Sequence, residues 1–245
     1  MDQTGMRDSY LMNTSETSKL TKSNDFQFNE EANAQELQND LNKLEVIRDQ
    51  ESKMRMICSK PFIVIYVMNI LSVITGFFTV NNFKKFGQLN GLENENYLAW
   101  VGSAAAFFNS IRFVWSFATD YLSYKMVYTV MLIMQITLCF TMSLVDTNKG
   151  TYAVWVSAVL LCEGGHFTLV PNVLKKIYGA ENGTQLYGLA FSYSSIAAIL
   201  IVILQTAILN DNPESYVYFF YACGACSVVS LVLLYALFKE DKFVS

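Results

Sequence analysis

From residue 61 onward, apolar residues fall in long runs separated by short polar breaks. Six runs reach the roughly 20 residues that a bilayer-spanning helix needs. They are 61–83, 97–119, 125–145, 152–174, 185–209 and 216–238. The breaks are 84–96, 120–124, 146–151, 175–184 and 210–215. Run length and the lack of alternation exclude strands, and no soluble core hides six such runs. In lipid, only helices or a closed barrel satisfy every backbone polar group. The pattern predicts an all-α polytopic membrane protein, with residues 61–245 as a six-helix transmembrane domain.

Residues 1–60 are different. They hold 8 of the 17 Lys and Arg and 11 of the 21 Asp and Glu. Residues 1–28 show no periodicity and read as disordered. Residues 33–55 are richer in helix formers, with Leu37, Leu41, Leu44 and Ile47 at three-to-four spacing. That spacing suggests a short amphipathic helix against a membrane or a protein surface; a partly helical solvated linker fits equally. The start lacks the apolar segment of a secretory signal peptide.

Composition narrows the function. Beyond residue 60 about one residue in ten is charged, against roughly one in four in a soluble domain. The chain is 53% hydrophobic with a net charge of −4 and a pI near 5.1. No basic face is visible, so no nucleic-acid partner is expected. The five cysteines lie mostly in apolar runs, where a thiol acts as a small hydrophobe. Cys223-Gly-Ala-Cys226 matches a redox spacing but sits in an apolar run, and reads as small-residue packing. No phosphate-binding loop, zinc-protease motif or nucleophile triad is present, and one histidine leaves little for metal chemistry. Neither an enzyme nor a cofactor is expected.

Basic residues set the expected topology. With the N-terminus in the cytosol, Lys125, Lys175, Lys176, Lys239 and Lys242 join the basic residues of segment 1–60 inside; only Lys84, Lys85 and Lys149 lie outside. This agrees with the positive-inside rule and predicts both termini in the cytosol. The sequon Asn182-Gly-Thr184 then faces the cytosol and stays bare.

Ionisable groups at bilayer depth are costly and usually functional. Arg112 lies well inside the second run. A guanidinium stays charged, so it must meet water, an anion or a carboxylate. It could clamp a substrate carboxylate or pair with a buried acid. Glu163 and His166 lie three apart in the fourth run, on one helix face. Together they could relay a proton; alternatively, Glu163 is the counter-ion of Arg112 and His166 a hydrogen-bonded packing residue. Gly164 and Gly165 between them permit close helix approach. Asn69, Gln135, Ser194 and Gln205 could each line a polar path or bond to a neighbouring helix.

Three segments resemble the major facilitator superfamily. Ser110-Ile-Arg-Phe-Val-Trp-Ser-Phe-Ala-Thr-Asp-Tyr-Leu-Ser-Tyr-Lys125 is similar to its loop motif, and the Arg112–Asp120 spacing resembles the oxalate/formate antiporter and monocarboxylate transporter branch. The segment 75–87 is similar to the end of that branch's seventh helix. Gly164-Gly-His-Phe-Thr-Leu-Val-Pro-Asn-Val-Leu-Lys-Lys-Ile-Tyr-Gly179 with Leu186-Tyr-Gly-Leu189 and Phe191-Ser-Tyr193 is similar to its tenth and eleventh.

The resemblance covers about residues 60–240. It implies the C-terminal six-helix half of a secondary transporter working by alternating access, with residues 1–60 in the place of the central cytosolic loop. Arg112 then falls on the substrate-contacting arginine, with Asn69 and Ser194 as further substrate-binding candidates. Asp120 and Lys125 fall on gating-loop positions; Glu163 and His166 keep the proton-coupling or charge-pair role read from their own depth and spacing, and His166 departs from the Asn or similar polar residue usual in the branch. The implied substrate is a small monocarboxylate-like organic anion, carried alone or with a proton. The plasma membrane is the family default and an organelle membrane the alternative. The motif is degraded: Ser116, Thr119, Tyr121 and Ser123 replace glycines and basic residues, and Ser194 stands where oxalate antiporters carry a lysine. The family needs about twelve helices, so a six-helix chain needs an N-terminal half or a second chain. The other reading is a non-transporting, transporter-like scaffold subunit.

Overall fold

A computed structural model describes residues 38–39, 41–144, 148–209 and 212–238. The disorder expected over 1–28, the start of the expected amphipathic helix, and Lys239 and Lys242 lie outside the described residues. The chain divides into two units, Met1–Met54 and Arg55–Ser245. In the first, residues 41–54 are helical and expose Leu41, Leu44 and Ile47. Lys53 lies 2.5 Å from Asp49 one turn earlier, an exposed pairing of the kind worth about 0.3–0.5 kcal/mol.

The second unit is built of helices, with no strand among the described residues. In chain order they are α1 (Lys60–Leu89), α2 (Glu95–Ser110), α3 (Phe113–Tyr121), α4 (Tyr124–Phe140), α5 (Lys149–Tyr178), α6 (Ala180–Ala190), α7 (Ser192–Ile208) and α8 (Pro213–Leu237), with a 3₁₀ turn at Met142–Leu144. Four stretches among the described residues are long and apolar enough to cross a membrane: Lys60–Leu89, Lys149–Tyr178, Ala180–Ile208 and Pro213–Leu237. The expected second span is divided at Ile111–Arg112 into α2 and α3. The expected third span is the 17-residue apolar helix α4.

The polar breaks supply the helix starts. Asn94, Ser123, Asn148 and Asn212 each accept a hydrogen bond from a first-turn backbone N–H, which satisfies donors that a helix start leaves free. Pro61 and Pro213 stand in first turns, where no N–H is missed. Pro171 lies inside α5 without ending it. Its ring leaves the Phe167 carbonyl without an intrahelical donor, and the Tyr187 hydroxyl of α6 donates to that carbonyl at 3.4 Å.

α1 packs against α5, α7 and α8; α5 also meets α2, α3, α4 and α6. One end of the α1–α8 seam is aromatic: Phe78 stacks on Phe219 at 4.1 Å between centroids and meets Phe220 edge-on at 4.8 Å. The Tyr152 hydroxyl of α5 donates to the Phe83 carbonyl of α1. Outward faces are apolar: Phe113 and Phe117 on α3, and Val202, Ile203 and Leu204 on α7, are exposed. Such a surface suits hydrocarbon and would be a liability in water. In lipid the helices gain little by hiding apolar area from one another, so close packing and interhelical hydrogen bonds hold them.

Candidate functional site

The five residues 162–166 of α5 organise the middle of the bundle. Successive helical residues turn by about 100°, so this stretch addresses several neighbours within little more than one turn. Cys162 Sγ lies 3.9 Å from the Met131 carbonyl of α4. Glu163 points at Gly76 of α1. Gly164 receives the α2–α3 joint: a Cβ there would fall 2.5 Å from Asn109 Oδ1 and 2.7 Å from Arg112 Cβ. Gly165 receives Met131 and Trp115, and the Trp115 indole donates to the Leu161 carbonyl at 3.0 Å. His166 reaches Gln135 and Tyr128 of α4. A side chain at Gly164 would push the α2–α3 joint away, and one at Gly165 would displace the Met131 or Trp115 side chain.

Gln135 is the hub of a buried hydrogen-bond network. Its Nε2 lies 2.7 Å from the Ser72 carbonyl, 2.9 Å from Ser227 Oγ and 3.1 Å from Thr75 Oγ1. A carbonyl only accepts, so the amide nitrogen must face Ser72 and the amide oxygen must face His166. That oxygen is 3.0 Å from His166 Nε2, which therefore carries the hydrogen and donates. His166 Nδ1 is then the acceptor for the Tyr128 hydroxyl, at 3.4 Å. The histidine thus lies in one tautomer within a network tying α1, α4, α5 and α8.

Glu163 has no such support. It is 4% exposed, and among the described residues neither carboxyl oxygen has a hydrogen-bond partner. The carboxyl occupies the space that a Cβ on Gly76 would take. The Tyr193 oxygen is likewise buried without a hydrogen-bond partner among the described residues. Glu163 and His166 lie one turn apart but share no hydrogen bond.

Arg112 sits at the break between α2 and α3 and is exposed. Its N–H reaches the Asn109 carbonyl at 3.3 Å, and its own carbonyl accepts from the Trp115 N–H at 3.1 Å. Its side chain forms no ion pair among the described residues, so Glu163 is not its counter-ion.

The remaining candidates are dispersed. Asn69 is buried, with Nδ2 donating to the Ile65 carbonyl at 2.8 Å and Oδ1 without a hydrogen-bond partner among the described residues. Ser194 is buried and donates to the Phe191 carbonyl at 2.8 Å. Asp120 is exposed near the end of α3. Lys125 Nζ lies 4.5 Å from the Tyr235 ring centre and 3.5 Å from the Phe238 carbonyl, so it engages α8. A different contact ties the end of α3 to α5. Asn172 Nδ2 donates to Ser116 Oγ at 2.7 Å, and Lys176 Nζ to the Thr119 carbonyl at 3.3 Å.

Sequence reasoning did not single out Gly76, Tyr128, Tyr193, Asn172 or Lys176 as site residues. Asn172 carried a signal, being an amide inside an apolar run; Gly76 carried none, because its meaning lies in a residue 87 positions away. No protein-family model matches the chain, and no curated protein matches it.

Proposed function

We propose that this chain is the C-terminal half of a secondary carrier for small organic anions of the monocarboxylate type, embedded in a membrane with both termini in the cytosol. The observation that carries the reading is Arg112. A permanent cation stands at a helix break in an apolar segment, exposed and without a carboxylate among the described residues. A cation in such a place calls for water or an anion, and broken helices beside a central helix are a common setting for substrate sites in carriers. The resemblance to the oxalate/formate antiporter and monocarboxylate transporter branch supports the same role. On this reading a second six-helix bundle, in the same or another chain, closes the vestibule over Arg112. Asn69 and Ser194 contribute polar lining, and the Asp120–Lys125 turn contributes to gating.

One observation favours the scaffold reading. Gln135 and His166 bond to each other and to the surrounding helices, leaving fewer interior polar groups for a substrate. Arg112→Gln separates the two. The full chain, reconstituted in proteoliposomes with its completing bundle, is assayed for uptake of labelled lactate, formate and oxalate. A carrier loses uptake in the variant while assembly is unchanged. Equal uptake with and without the guanidinium overturns the carrier reading, and no uptake by the wild-type assembly favours the scaffold.

A further inference from the structure

The contact between α1 and α5 holds a group that anion binding at Arg112 does not use. Glu163 is buried, its two carboxyl oxygens lack partners among the described residues, and its carboxyl fills the side-chain space of Gly76. The titratable groups within electrostatic range of it on the neighbouring helices are the Tyr128 hydroxyl of α4 and the Tyr193 hydroxyl of α7, neither hydrogen-bonded to it. Cys162 neighbours it on α5, and His166 on the same helix is turned to Gln135. The α2–α3 joint brings Arg112 against Gly164, with no ion pair to Glu163. α1 presents Gly76 itself. Among the described residues no cation pairs with it. An ionised carboxylate held dry and unpaired is among the costliest groups a protein interior can contain, and such groups neutralise instead.

We propose that Glu163 is a proton-binding site, and that its protonated carboxyl is what allows α1 and α5 to close at Gly76. The proton comes from water and returns to water. When it leaves, a carboxylate remains that cannot stay in a dry notch, so the two helices part there or admit solvent. By linkage, a closed contact that holds the proton weakens as pH rises. The inference stands whether or not the chain moves an anion. In a carrier it would assign proton coupling to Glu163 alone, since Gln135 and Tyr128 hold His166 in one tautomer.

The test uses the full chain in lipid nanodiscs. Infrared difference spectra between wild type and Glu163→Gln at neutral pH read the carbonyl stretch of a neutral carboxylic acid. The expected result is such a band in wild type and its loss in the variant. Hydrogen exchange at the α1 amides flanking Gly76, compared at one raised pH, is expected to be faster in wild type than in Glu163→Gln. Carboxylate bands in place of the acid band, or equal exchange in the two proteins, overturns the proposal. Should Glu163→Gln fail to fold, Glu163→Asp retracts the same group by one methylene and is expected to shift the band; an unmoved band overturns the proposal. These readouts do not depend on Arg112, so their failure is distinct from a failure of the uptake assay.

Discussion

The carboxyl of Glu163 stands where Gly76 would carry its side chain. A methyl group at Gly76 must therefore displace either the carboxyl or the backbone of α1. Overpacking of this kind costs about 1–3 kcal/mol. Gly76→Ala is expected to lower the unfolding midpoint in mild detergent, and Glu163→Ala added to it should recover most of the loss. Two independent, additive losses would show that the residues do not share one space.

Gln135 joins three helices to α4 through a single amide. Interhelical hydrogen bonds in membranes average about 0.6 kcal/mol and reach about 1.7; the amide nitrogen has two hydrogens for its three acceptors, so losing its two donated bonds and the one accepted from His166 predicts a loss of about 2–3 kcal/mol for Gln135→Leu. The same substitution frees the His166 ring. The histidine ring resonances in NMR spectra should then report a mixture of tautomers where the native protein shows one.

Gly164 bears on Arg112 without touching any ligand. A Cβ there meets Asn109 Oδ1 at 2.5 Å and the Asn109 carbonyl at 3.0 Å, and the backbone oxygen cannot swing aside. Gly164→Ala should move the α2–α3 joint and reduce anion uptake nearly as far as Arg112→Gln, with the guanidinium still present. Gly188, whose Cβ position has no atom within 4 Å, provides the control: Gly188→Ala should leave uptake unchanged.

The tie between α3 and α5 rests on Asn172 and Lys176. Asn172→Ala and Lys176→Met are each expected to speed hydrogen exchange over residues 116–121 while leaving α8 unaffected. If that exchange is unchanged, the two polar contacts do not hold the end of α3.

Topology has its own assay. Asn182-Gly-Thr184 opens α6, following Lys175 and Lys176 at the end of α5. With that end in the cytosol, expression in a glycosylating host should leave Asn182 bare. A glycan removed by peptide-N-glycosidase would reverse the orientation.

The apolar runs made the helical class and the approximate helix positions legible, because run length and polar breaks are local properties. The expected span 61–83 corresponds to α1, which continues past Lys84 and Lys85 to Leu89, since a helix can carry on beyond the apolar stretch that bounds a span. The divisions at Ile111–Arg112 and Phe191 had no such signal. Neither break contains proline or glycine, whereas Pro171, a residue that often breaks helices, sits in an unbroken helix, with the Tyr187 hydroxyl donating to the carbonyl its ring leaves free. The site was legible only in part. Arg112, Glu163 and His166 stood out as charged or titratable groups in apolar runs, but their partners did not. Which polar groups meet is decided by how helices cross, and that joins residues far apart in the chain, such as His166 with Gln135, 31 positions apart, and Gln135 with Thr75, 60 apart.

The crowding of contacts along 162–166 limits how this bundle can move. Rotating α5 about its axis would at once unseat the carboxyl from Gly76, the α2–α3 joint from Gly164, the tryptophan from Gly165 and the imidazole from Gln135. An axle gripped on several sides does not spin inside its bearings, so while the Glu163–Gly76 contact stays closed a large displacement should carry the surrounding helices with it as one body. Hinges then belong at the ends of the bundle and at its junction with whatever completes it.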